Sequence, residues 1–210
     1  MMIHAYNPIY LSKVARSLGN MLHDAVYELG YDGSKFLQQF IQSGIAEQIE
    51  NGNPKYIAGK SGLELLCDVL EITSGKKLDI GFIETYDRSD VYWVGWVLAH
   101  YQWYSAKQFR DILEVIPYNE MLGLYSTLHE ADVHKAYEVF DEHFASSVTK
   151  LQKMRKRCNL TQEQLAEATG ISASTIRAYE RKAKDISKAQ ADSLLRLSAV
   201  LHCEIADIID

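Results

Sequence analysis

Leu160-Thr-Gln-Glu-Gln-Leu-Ala-Glu-Ala-Thr-Gly170-Ile-Ser-Ala-Ser-Thr-Ile-Arg-Ala-Tyr-Glu180 is the stretch on which the reading of this chain turns. Thr161 is a good N-cap, and Gln164 three residues later completes a capping box, so a helix opens here. Leu165 and Ala166 give that helix a small apolar face. Gly170 ends it as the glycine just past a helix C-terminus. Ser172 then caps a second helix running to about Arg181, with Ile176 and Tyr179 turned inward. Two short helices about a glycine turn, the second opening in small polar residues, form a helix-turn-helix. Ala166 has to be small because the second helix crosses close by.

The flanks agree. Upstream, Leu151, Met154 and Cys158 share one side of a short helix whose other side carries Lys150, Lys153, Lys156 and Arg157. The net charge of the 210 residues is −6, which taken alone discourages a nucleic-acid reading. Its distribution reverses the argument: residues 1–147 hold 11 Lys/Arg against 20 Asp/Glu, a net −9, while residues 148–210 hold 11 against 8, a net +3. A basic last third on an acidic body is the footprint of a nucleic-acid module. The exposed start of the second helix is then free to enter the major groove of a duplex.

Residues 148–210 resemble the Cro/repressor-like (XRE) helix-turn-helix family. The resemblance is carried by Leu160-Thr161-Gln162, Leu165-Ala166, Gly170-Ile171-Ser172, Ile176 and Tyr179-Glu180, and continues through Leu194, Leu197, Leu201, Ile205 and Ile208. It implies a lambda-repressor-like five-helix domain that binds double-stranded DNA. It also implies a pair between Arg155 in the first helix and Glu180 closing the recognition helix. By motif position Gln162 and Ser172 touch phosphates, while Ala173, Ser174, Thr175, Arg177 and Ala178 face the groove. Arg177 is the only long donor of that set; a guanine contact and a plain phosphate contact are both open to it. One region departs from the family: Lys182 stands where a glycine is usual, and the link to the next helix is about three residues longer. The recognition helix is therefore expected to run on into Lys184, with Ser187 capping the next helix and Gln190 completing the box. Lys182, Lys184 and Lys188 would replace the usual backbone phosphate clamp with side chains.

The remaining residues read as mostly helical, which makes the chain all-α in two parts, residues 1–145 and 146–210, joined at Ser146 and Ser147. Pro8 opens a helix to about Leu29, with Leu11, Val14, Leu18, Met21, Leu22, Ala25 and Leu29 on one stripe. Phe36, Leu37, Phe40 and Ile41 mark a second helix, and Asn51-Gly-Asn-Pro54 breaks the chain. Ser61 and Glu64 form a capping box before Leu63, Leu66, Val69 and Leu70. Leu78, Ile80 and Phe82 alternate as one short strand would. A helix from Ser89 to Tyr104 follows, then a capping box on Ser105 and Gln108 starting a helix ended by Pro117, then helices over 119–128 and 130–144. On the Ser89–Tyr104 helix, Trp93, Trp96, His100 and Trp103 share a face; it reads as core, with a ligand pocket or partner surface as the alternative.

Several tempting motifs fail. Gly59-Lys-Ser61 lacks the glycine that a phosphate-binding loop needs at position 54. His129 and His134 lie five apart, so their imidazoles diverge on a helix and do not share a metal. Asp79, Glu84, Asp87 and Asp90 lack calcium-loop spacing. No metal, cofactor or catalytic set is expected. Apolar residues at 47% and charged residues at 24% exclude a disordered chain. The longest apolar run, Val91 to His100, is too short for a bilayer, residues 1–20 lack a secretory signal layout, and three scattered cysteines suggest a reduced, cytoplasmic protein. Residues 1–145 are similar to the N-terminal part of XRE-type regulators in Firmicutes genomes, in Ser43-Gly-Ile-Ala-Glu47, Pro54-Lys-Tyr-Ile-Ala-Gly59 and Leu128-His-Glu-Ala-Asp132. Such proteins are often encoded beside toxin genes. The expectation is a homodimeric transcriptional repressor on a pseudo-palindromic operator; the alternative is an antitoxin whose acidic part binds a toxin while its helix-turn-helix autoregulates.

Overall fold

The computed structural model describes residues 4–77 and 89–210, and all regular structure among them is helical. The strand expected around Leu78, Ile80 and Phe82, and Asp79, Glu84 and Asp87 of the acidic run, lie outside the described residues. The chain divides into two compact units, the first ending at Asp141 and the second covering Glu142–Asp210.

The first unit contains α1 (Leu11–His23), α2 (Gly33–Gln42), α3 (Ile45–Glu50), α4 (Pro54–Ile57), α5 (Gly62–Ser74), α6 (Asp90–Ser105), α7 (Phe109–Val115) and α8 (Tyr118–Leu128). Helix α9 (Val133–Ser147) carries the chain into the second unit. Pro8–Tyr10 form a 3-10 turn that leads into α1, capped by the Asn7 side chain on Ile9 N, and α1 runs on through a π-helical stretch at Asp24–Glu28. The apolar stripe of this segment is the reason it is buried: Val14, Leu18, Met21, Leu22 and Ala25 are each at most 1% exposed.

Helix α6 is apolar all round and sits in the core against α1. Two glycines let the helices approach this closely. A Cβ on Gly95 would stand 2.4 Å from Leu18 O, and one on Gly19 would stand 2.6 Å from the Tyr92 ring. The tryptophan face of α6 is spent on packing: Trp93 meets Tyr125 edge-on at 5.9 Å, and Trp103 stacks on His4 at 3.9 Å while donating from Nε1 to Tyr6 O. His100 lies against Trp96 and pairs through Nδ1 with the Tyr137 hydroxyl at 3.2 Å, and burial lowers its pKa to about 4.

One cap differs from the sequence expectation. Ser105 does not open α7; it is the last residue of α6, and its hydroxyl donates back to Tyr101 O. The start of α7 is capped from a distance by Glu50, whose Oε1 accepts from Phe109 N at 2.7 Å. Burial raises the Glu50 pKa, partly offset by that bond.

The second unit contains the end of α9 and helices α10 (Lys150–Arg157), α11 (Gln162–Thr169), α12 (Ala173–Glu180) and α13 (Ala191–Leu201). Leu151, Leu165, Ile176, Tyr179, Leu194, Leu197, Leu201 and Ile208 form its core, with Met154, Cys158 and Ala166 packed against it. No described helix is long and apolar enough to cross a membrane.

Candidate nucleic-acid interface

Local chemistry fixes the ends of α11 and α12. Thr161 Oγ1 accepts from Gln164 N at 3.1 Å, and Gln164 Oε1 accepts from Thr161 N at 2.8 Å, which closes the capping box. Gly170 turns the chain at φ +66, a conformation that costs glycine nothing. Arg196 of α13 donates through Nη1 to Thr169 O at 2.9 Å, so the end of α11 is held by a side chain from another helix. Ser172 Oγ accepts from Thr175 N at 3.2 Å and starts α12.

A buried ion pair links α10 to α12. Arg155 Nε donates to Glu180 Oε1 at 2.6 Å and Nη2 to Oε2 at 2.9 Å, while Nη1 donates to Leu160 O at 2.6 Å. The two side chains are 9% and 1% exposed. The Glu180 hydrogen bond raises the Arg155 pKa above its ordinary value, so the guanidinium stays charged despite burial. Gln162, which motif position assigned to phosphate, donates its amide to Glu180 Oε2 at 2.7 Å. Helices α10, α11 and α12 are thereby joined through one carboxylate.

The start of α12 faces outward. Ser172, Ser174 and Arg177 are exposed; Ala173, Thr175 and Ala178 are half-buried. The Ser172 hydroxyl also bonds those of Ser174 and Thr175, at 2.9 and 2.8 Å. Arg177 is not idle: its Nη2 donates to Glu163 Oε1 at 2.6 Å. Sequence reading missed this partner, since nothing local relates residues fourteen apart.

Helix α12 does not run on into Lys184. It ends at Glu180, because Lys182 takes the left-handed conformation at φ +56. Lys182 N bonds Tyr179 O and Lys184 N bonds Ala178 O, at 3.1 Å each. Nor does Ser187 cap the next helix. Asp185 caps a 3-10 turn at Ile186–Lys188 by accepting from Ser187 N, and Gln190 is the N-cap residue of α13 without a side-chain cap. Lys182, Lys184 and Lys188 are exposed. Their ammonium groups meet, respectively, Ser146 O at 3.0 Å, the Tyr179 ring at 5.5 Å and Asp185 at 3.3 Å. The two polar contacts lie at the surface, where such contacts are weak.

Among the described residues no group of three His, Cys, Asp or Glu is placed to hold a metal ion. His134 pairs with Asp132 at 2.6 Å, and the His129 ring stacks on Tyr125. No curated protein and no solved structure matches the chain. A family model does: the one described as helix-turn-helix, of the XRE kind, matches residues 151–208. That family is regulatory and DNA-binding rather than enzymatic. Residues 151–208 thus match a helix-turn-helix domain, which suggests a DNA-binding regulator.

Proposed function

We propose that the chain is a sequence-specific transcriptional repressor that binds a pseudo-palindromic operator as a homodimer. The observation that carries this reading is the exposed start of α12. Ser172 and Ser174 are exposed there and Arg177 is exposed further along the helix, in a region of net charge +3 that also holds the exposed Lys182, Lys184 and Lys188. In this reading Ser172 and the lysines meet phosphates, which position the protein, and Arg177 meets a base edge, which specifies sequence. Gln162 reaches phosphate only by sharing its amide with Glu180. Residues 146–210 carry the DNA contacts, and the acidic residues 1–145 supply dimerisation or a partner surface.

Selection from a randomised duplex pool by the full chain tests the proposal. The expected product contains two inverted half-sites about one helical turn, roughly 34 Å, apart. Enrichment of no sequence at all, or of a single half-site bound by one copy, overturns it. A small protein that co-purifies stoichiometrically from native cells would favour the antitoxin alternative.

A further inference from the structure

Glu163 presents a carboxylate to Arg177, the residue that the DNA-binding reading turns toward a base edge. Its side chain is 64% exposed and sits in the first turn of α11. A solvated glutamate there would only repel phosphate. Instead it accepts from Arg177 Nη2 at 2.6 Å, across from α11 to α12. Arg177 remains 47% exposed. The pairs Lys188–Asp185 and Arg196–Asp192 each close within one turn of chain, whereas this one links the two helices of the motif. The hydrogen bond from Arg177 also lowers the Glu163 pKa, so the carboxylate is ionised at neutral pH.

We propose that Glu163 is a specificity-determining residue, which holds Arg177 ready for a guanine edge and withholds it from the phosphates of non-cognate duplex. The inference rests on the DNA-binding reading above and deepens it. A guanidinium carries five N–H donors, of which Glu163 engages one at Nη2. The others suffice for the two acceptors of guanine, O6 and N7, so base reading and the ion pair coexist. Phosphate contact alone gives no such addition. It competes with the carboxylate for one cation, and any gain leaves Glu163 unpaired beside a negative backbone. A tethered arginine also loses less side-chain freedom when it docks on a base. Glu163 thus acts through Arg177 and is a positioning residue.

The test compares the wild-type chain, Glu163→Gln, Arg177→Ala and the double variant on two probes at two salt concentrations. One probe is the duplex enriched by the wild-type chain; the other is a random-sequence duplex. Glu163→Gln is expected to tighten random-duplex binding and steepen its salt slope by about one unit, as Arg177 becomes free to displace a counterion. Enriched-duplex affinity should stay nearly constant, so the affinity ratio falls about fivefold, the lower edge of what a bidentate base contact discriminates. In the Arg177→Ala background the Glu163 substitution should leave the ratio unmoved. Equal tightening on both probes would reduce Glu163 to simple repulsion and overturn the inference. So would an unmoved ratio, or a fall of equal size without Arg177. A wild-type chain that retains no duplex at all overturns the DNA-binding reading itself; binding by wild type with an unchanged ratio overturns only the role of Glu163.

Discussion

Arg155→Ala should destabilise the second unit by about 3 kcal/mol and leave the first untouched. The magnitude follows from what the arginine holds. It donates twice to Glu180 and once to Leu160 O, and the Glu180 side chain is 1% exposed. Truncation leaves a buried carboxylate with the Gln162 amide on Oε2 as its remaining donor from this network. Breaking a buried pair by removing one partner costs about 3–5 kcal/mol, and the surviving Gln162 bond argues for the lower end. All three tryptophans lie in α6, so tryptophan fluorescence does not follow the second unit. Amide hydrogen exchange on the full chain, read by peptide, does. The slowest amides of residues 150–180 should exchange on the order of 100-fold faster in the variant, since each 1.4 kcal/mol is tenfold. Exchange within about threefold of wild type would refute the reasoning, because a pair worth so little is neither buried nor bridging. The joint replacement R155M/E180L should recover much of the protection, as it leaves no charge unpaired.

Three further outcomes are expected. Gly95→Ala should cost about 3 kcal/mol in urea unfolding followed by tryptophan fluorescence, because its methyl meets the Leu18 carbonyl at 2.4 Å; Gly123→Ala, in open space on α8, should instead stabilise by about 0.5–1 kcal/mol. His100 is half-buried and neutral, with a pKa lowered by desolvation to about 4 against an ordinary 6.5, so the unfolded state binds the extra proton as pH falls between those values. The first unit should lose about 2 kcal/mol between pH 7 and pH 5 through this group, and His100→Gln should abolish that component of the pH dependence. Lys182→Gly should relieve a left-handed lysine and stabilise the second unit by up to about 1 kcal/mol, while weakening enriched and random duplexes alike if Lys182 meets only phosphate. Unequal weakening of the two duplexes would assign Lys182 a role in base reading.

What could be read from the sequence was encoded within a few residues. The capping boxes on Ser61 and Thr161, the Ser172 cap and the Gly170 turn each depend on partners at most four positions away. The stripe of α1 was legible for the same reason, as a period repeated along one element. What escaped was delivered from afar. Glu50 caps α7 from fifty-nine residues upstream, Arg196 caps α11 from twenty-seven downstream, and Glu163 finds Arg177 fourteen residues along. Lys182 misled for a different reason. A non-glycine residue suggests a continuing helix, yet tertiary packing of Tyr179 and Ile186 into the core makes the left-handed turn worth its strain. At Ser105 the local signal had a rival use, since a serine hydroxyl bonds a preceding carbonyl as readily as a following amide.

Helix α12 is eight residues long, and an isolated helix of that length is marginal in water. Its geometry therefore belongs to its neighbours: Ile176 and Tyr179 in the core, and Glu180 held by Arg155 and Gln162. This separates two ways in which a substitution weakens duplex binding under the proposed function. Arg155→Ala acts through the population of folded domain, so apparent affinity falls by the unfolded fraction, equally for every duplex, and recovers under conditions that restore folding. Arg177→Ala leaves protection of residues 150–180 unchanged and narrows the gap between enriched and random duplex by about 1–3 kcal/mol. Measuring exchange and the two affinities on the same samples assigns each residue to one class. If Arg155→Ala lowered the affinity ratio while its amides stayed protected, the pair would be reading DNA and not holding the helix. An Arg177→Ala variant that lost protection would reverse the assignment in the other direction.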